Sequence, residues 1–331
     1  LLTGTEDSAC RALRTQPSIA PTPSARIFCL ARSGDWSAAA LTLNTGLALG
    51  DIDEDTGALL SRFLDPDLYE GDPPLRAPDR MTPLTFRMFE AIGEPLSTHG
   101  LPRAFSHADL RANVGWKAQL EAAERLARAG AISDNALIGH YTSRVATVSG
   151  GVWERAKAIA DMQRSLTSED AGEIMDALET LWTEAISVGV AVPLARYFGP
   201  QLIDTGALPA DPLVFKLLLL SDRYEEAALK DDLAVTDRFL AAVARGNPSG
   251  VPAVRAGRPL IRDAFAAQPD ATLVAMAAEG RTGEAILRTI ATLQQGIEGD
   301  DLAFKEGFAT LRALGLEDVA RRVALQYLLL L

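Results

Sequence analysis

His99, His107 and His140 are the side chains best suited to binding a metal or moving a proton. Two of them stand eight residues apart in "HGLPRAFSHAD", with Asp109 close behind. A zinc site needs three or four converging ligands, and neither cysteine is near in sequence. A loop histidine followed by the helix cap "SHAD" accounts for the stretch. "VSGGVW" places glycines at an expected helix start, where phosphate could meet backbone N–H groups. No lysine-serine pair follows and no strand precedes, so it reads as a tight helix start. Glu169, Asp170 and Glu173 crowd one helix start, and Glu225 and Glu226 another. Acids favour the helix dipole there whatever the function. G-x-S-x-G, H-E-x-x-H, P-loop and C-x-x-C patterns are absent. The residues therefore assign no catalytic, cofactor-binding or metal-ligating role, and imply no cofactor.

Binding chemistry is a broader possibility. Arg255, Arg258 and Arg262 in "VRAGRPLIRDAF" could grip an anion or a partner's carboxylate, although spacings of three and four also describe a solvated helix face. Trp36, Trp116, Trp153 and Trp182 could line a stacking groove. Trp36 and Trp116 hold equivalent positions in a repeat and face apolar stripes, which points to core packing. Cys10 and Cys29, the only two cysteines, lie on successive expected helices. They could form a disulfide or remain two buried thiols.

The whole chain sets the limits. It has 331 residues, a net charge of −12, 48% hydrophobic residues and only 6% aromatics. Abundant alanine and leucine favour helix, and runs of β-branched residues are nearly absent. The acidic balance disfavours nucleic acid and anionic lipid as partners. "VFKLLLL" and "YLLLL" are too short to span a membrane. The chain opens "LLTGTEDSAC" without methionine, and Leu1 and Leu2 read as the last turn of a helix, so a fragment with any targeting segment upstream is expected.

The elements that must position these side chains are helices. "SARIFCLAR" begins after the cap Ser24. Trp36, Ala39, Ala40, Leu43 and Leu47 recur at helical spacing, and Gly50 stops that helix. Eighty residues later Trp116, Gly130 and Ile132 match Trp36, Gly50 and Ile52. A second pattern recurs at corners. "SGDWSAAA", "SDRYEEAA", "EGRTGEAI" and "LGLEDVAR" place Ala39, Ala227, Ala285 and Ala320 five positions after Gly34, Asp222, Gly280 and Gly315. Two helices folding back through so short a corner leave room only for a small side chain. Further helices are read in "PLTFRMFEAIG", "GVWERAKAIADMQRSL", "SEDAGEIMDALETLWTEAI" capped by Ser168, "DPLVFKLLLL", "KDDLAVTDRFLAAVAR", "LAFKEGFATLRAL" and "LEDVARRVALQYLLL". The connections Asp65 to Pro83, with five prolines, and Gly246 to Pro259, with three, are long enough to carry function.

Through "ARSGDWSAAALTL" and "LRALGLEDVARRVAL" the chain resembles tetratricopeptide-like α-solenoids. Through "ARIFCLARSGDWSAAALTL", "SRFLDPDLYEGDPPL" and "GWKAQLEAAERLARAG" it is similar to uncharacterised exported helical proteins of alphaproteobacteria. The second resemblance implies an upstream signal peptide, a periplasmic rather than cytoplasmic location, and a Cys10–Cys29 disulfide. The expected fold is an all-α, right-handed solenoid of antiparallel hairpins. Its expected divisions are residues 1–245, a loop at 246–259 and residues 260–331, read together as one continuous solenoid truncated at its N-terminus. The function expected by fold analogy is a non-catalytic envelope scaffold for a protein or peptide partner. The alternatives are an enzyme, or the helical arm of one, acting on cell-wall polymers, and a carrier of a hydrophobic ligand.

Overall fold

Helix after helix in this chain ends in one way. At Gly34, Gly93, Gly130, Gly189, Gly280 and Gly315 the backbone turns to positive φ, between 64° and 86°. The following N–H then reaches back five residues: Asp35 to the Leu30 carbonyl at 3.0 Å, Arg281 to Met276 at 3.1 Å, Leu316 to Leu311 at 2.9 Å. This closure satisfies carbonyls that a helix end leaves unpaired, and glycine adopts it without a Cβ clash. A new helix often starts at once on a side-chain cap, as where Asp35 accepts from the Ala38 N–H and Ser133 from Ala136. The corner alanines Ala39, Ala227, Ala285 and Ala320 are all fully buried. Sequence thus gives local hairpins directly.

The computed structural model describes residues 1–16, 21–168, 170–204, 211–229 and 237–331. Every regular element among them is helical. The chain forms two compact units, Leu1–Ile132 and Ser133–Leu331. The segment 246–259 lies inside the second unit. Its Gly257 packs within 3.3 Å of the Tyr327 ring, counted from where a Cβ would sit.

In the first unit the helices Pro23–Arg32, Trp36–Leu49, Glu54–Leu64 and Pro83–Ala91 enclose one core. Ile27, Phe28, Leu43, Ile52, Leu60, Met88 and Phe89 fill it, each contributing about 1.5–3 kcal/mol through burial. The helix Glu6–Thr15 buries only Glu6 and Cys10. Cys10 is bonded to Cys29 with Cα atoms 5.3 Å apart. Asp7 pairs with Arg32 at 2.7 Å and Glu6 with Arg87 at 2.6 Å.

In the second unit, helices run from Asp134–Thr142 to Glu317–Leu330. Phe198, Phe215, Phe239, Phe304 and Phe308 are fully buried there. The hairpin Thr282–Ile297 and Asp301–Ala313 crosses on glycine. A Cβ on Gly296 would lie 2.4 Å from the Phe304 backbone, and one on Gly307 3.0 Å from that of Leu293. The last helix folds back on residues far earlier. Tyr224 donates to Asp318 at 2.6 Å, and Arg322 to Asp222 at 2.8 Å, across 94 and 100 residues. Stacking of sequence neighbours alone does not make such contacts.

Several local expectations change. Thr22 rather than Ser24 caps Pro23–Arg32, because Pro23 takes the first helical position. Asp170 rather than Ser168 caps Ala171–Ser187, since the preceding helix extends through Ser168. Leu1 and Leu2 lie in a turn, with Gly4 N–H facing the Leu1 carbonyl at 3.4 Å. Trp36 is 52% exposed whereas Trp116 is 8% exposed, so equal position along the chain does not give the two tryptophans equal burial. Trp153 and Trp182 are half-buried. Glu169 and the stretch 230–236, within the expected helix "KDDLAVTDRFLAAVAR", lie outside the described residues; Asp237 caps the helix Arg238–Ala244.

Candidate functional site

The long proline-bearing connection of the first unit builds the most structured surface feature. Pro66–Tyr69 forms a short 3-10 turn, and residues 72–78 then run without regular secondary structure. A segment with three prolines, Pro73, Pro74 and Pro78, has few conformations to lose on ordering. It is pinned from beneath. Arg62, on the helix Glu54–Leu64, donates to Glu94 at 2.8 Å and to the Pro73 carbonyl at 2.8 Å. The other Glu94 oxygen accepts the Leu75 N–H at 2.9 Å. Arg62 also lies over the Tyr69 ring, 5.7 Å from its centroid. Arg62 is only 12% exposed and Glu94 22%, so this pair is shielded from water and holds the segment by charge-assisted bonds.

Between the pinned segment and two helices runs a groove of about 460 Å³. Buried Leu59 and Phe89, with half-buried Leu75, form its apolar floor. Asp53, Asp55 and Asp79 stand on its rim with Arg76. Asp53 is occupied as the helix cap, accepting from the Thr56 N–H at 2.8 Å and its hydroxyl at 2.7 Å. These bonds hold its carboxyl below the usual aspartate range. Arg76 approaches Asp79 at 3.9 Å, both almost wholly exposed. Among the described residues no hydrogen bond engages the Arg76 or Ala77 main chain. The groove therefore has half-buried Leu75 above buried Leu59 and Phe89, a net negative rim and exposed backbone along one wall.

The second unit has a groove of about 390 Å³ between Val152–Ser168 and Ala171–Ser187, lined by Asp161, Arg164, Glu173 and Asp176. Its floor is Ala158 and Ala177, with no large apolar side chain.

The residues singled out from sequence fall elsewhere. Arg258 is 12% exposed and pairs with Asp237, while its guanidinium lies 5.2 Å from the Phe239 ring centre. Arg255 reaches the same carboxylate at 3.8 Å, and Arg262 bonds its neighbour Asp263 at 2.9 Å. Arg258 and Arg255 thus share the Asp237 carboxylate, while Arg262 pairs apart from them. His99 is exposed, 3.9 Å from Glu121. His140 is half-buried, and burial lowers its pKa from the ordinary value. Among the described residues no metal-ligating cluster is formed. The N–H of Gly150, in "VSGGVW", is taken by Glu154 of its own helix at 3.1 Å. Glu225 and Glu226 pair with Arg321 at 2.5 Å and Arg223 at 2.6 Å. No helix among the described residues is long and apolar enough to cross a membrane.

No family model, curated protein or solved structure matches the chain.

Proposed function

We propose that this protein is a non-catalytic scaffold whose hairpins stack as a right-handed, tetratricopeptide-like α-solenoid, closed at its end by the helix Glu317–Leu330. It holds a protein or peptide partner in the bacterial envelope. The observation that carries the binding role is the groove beside residues 72–78, where a segment pinned by Arg62 and Glu94 forms one wall. Preorganised grooves of this kind lose little entropy when a segment settles in them. The helix Trp36–Leu49 contains no charged residue and exposes Trp36 and Leu47 on one side and Leu41 and Leu49 on others. The Cys10–Cys29 bond suits an oxidising compartment, in keeping with the resemblance to exported helical proteins.

Photo-crosslinking tests the reading. A benzophenone amino acid is placed at Ala77 or Ala58 in the groove, and at Ala160 on another helix as control, in cells that naturally make the protein. Discrete protein adducts from Ala77 and Ala58, absent at Ala160, are expected. No adducts at either groove position, or the same adducts at all three, would exclude the groove as the binding surface.

A further inference from the structure

We infer that the helix Thr282–Ile297 is a self-association surface, through which two copies of the chain pair side by side and antiparallel about a two-fold axis. The inference stands apart from the groove of the first unit.

This helix has two apolar faces, and its own unit uses one. Ala285, Thr289, Leu293 and Gly296 are buried against neighbouring helices. Leu287, Ile290, Gln294 and Ile297 recur along another face, within about 80° of one another at helical spacing. Leu287 is 70% exposed, Ile290 51% and Ile297 40%, and Gln294 is exposed between them. Steps of three, four and three residues are the a and d pattern of a coiled-coil seam, sustained here over two heptads. Such a seam fits a second helix of the same pattern, and the chain itself supplies one. In antiparallel pairing a positions meet d positions. Leu287 then meets Ile297 of the second copy, and Ile290 meets Gln294, each contact occurring twice as two-fold symmetry requires. Gln294 already donates to Glu298 at 2.8 Å, and one polar seam position fixes register at a cost in affinity. Charge sets the direction. Arg281 and Arg288 share Glu284, at 2.6 and 2.8 Å, which leaves the first half of the helix with one net positive charge. Glu298, Asp300 and Asp301 follow at its other end. Antiparallel pairing brings Arg288 beside Glu298 of the second copy, whereas parallel pairing sets like charges together. Two heptads make a short seam, so the pair exchanges with monomer on dilution.

Sedimentation velocity of the purified full chain over about a hundredfold range of concentration tests this. A monomer–dimer equilibrium is expected. Leu287→Lys with Ile290→Lys, both at exposed positions, should weaken association about tenfold while circular dichroism stays unchanged. Arg288→Glu alone and Glu298→Arg alone should each weaken it several-fold, because each sets like charges together twice across the axis. An equimolar mixture of these two variants should regain the association of the unaltered chain, because every mixed contact joins opposite charges. General damage to the fold cannot produce that rescue. A chain that stays monomeric throughout, a dimer indifferent to Leu287→Lys with Ile290→Lys, or charge variants that fail to rescue each other overturns the inference. Any of those results leaves the groove reading standing, since crosslinking at Ala77 and Ala58 tests that separately.

Discussion

Gly296 and Gly46 illustrate how one missing methyl group sets a helix crossing. At Gly296 the obstacle to a Cβ is the Phe304 backbone at 2.4 Å; at Gly46 it is the end of the Ile52 side chain at 2.6 Å. A side-chain tip can move, and a backbone cannot without shifting its helix. Gly296→Ala should therefore cost about 3 kcal/mol. Gly46→Ala should cost far less, since the gain in helix propensity of about 1 kcal/mol offsets the clash. Urea denaturation of both variants checks the order. Carboxylates give a second prediction. Burial pushes the Glu90 pKa up, but Arg111 and Arg87 outweigh it, and the net position is below the ordinary 4.5. Asp318 is held below 3.8 by the Tyr224 hydroxyl and Arg322, and Asp53 by its cap bonds. Groups depressed in the fold stabilise it above their unfolded pKa, and that contribution drains away as pH falls through the folded value. His140, lowered from 6.5 by burial, prefers to be neutral in the fold. Its contribution is present above 6.5 and declines below it. Stability should thus slip gently below about pH 6.5 and steeply below about pH 4. Denaturant midpoints at several pH values measure this, and His140→Gln should flatten only the upper limb. The corner alanines and helix-stop glycines were legible in sequence because their reasons are local. Gly296 was not, because its neighbour Phe304 is known only once the hairpin closes.

The helix Glu6–Thr15 shows an element held by few attachments. It buries two side chains, and its hold comes from the Cys10–Cys29 bond and the Glu6 and Asp7 ion pairs. The Asp7–Arg32 pair is exposed and contributes little. Replacing both cysteines with serine should cost about 3 kcal/mol, expressed locally. Limited proteolysis should cut residues 1–22 sooner in that variant, or in reductant, while Pro23–Leu64 stays protected. Equal cleavage rates would show that the ion pairs suffice. Helix existence was readable for most elements from periodicity and glycine stops. Caps shifted by two residues where several polar candidates stood together, as at Thr22 and Ser24. The groove escaped sequence reading although its connection was singled out by length and proline content. Its pinning depends on Arg62 and Glu94, 32 residues apart, and nothing in either neighbourhood names the partner.

The second unit is organised by its last helix. Arg321 reaches the Ala244 carbonyl at 2.9 Å and Glu225 at 2.5 Å, while Arg322 and Asp318 enclose Tyr224. Tyr224 is 1% exposed, and burial first, then its bond to Asp318, raises its pKa. Tyr224→Phe should cost about 1–2 kcal/mol, because Asp318 loses a donor. Truncation before Glu317 should abolish slow amide exchange in Pro212–Leu220 and Arg238–Ala244, as followed by mass spectrometry. Persistent protection there would show that these helices need no lid. Sequence periodicity gave the all-helical class and the hairpins, but the division into units followed contacts between segments distant in the chain. The long connection 246–259 joins helices of one unit.

The return of Glu317–Leu330 onto Tyr224 has a consequence during synthesis. The strongly apolar "VFKLLLL" leaves the ribosome about a hundred residues before the helix that seals its neighbourhood. At about 5–20 residues per second this is a delay of several seconds or more. During that interval a nascent chain must either find a temporary cover for Pro212–Leu220 or be met by a holding chaperone.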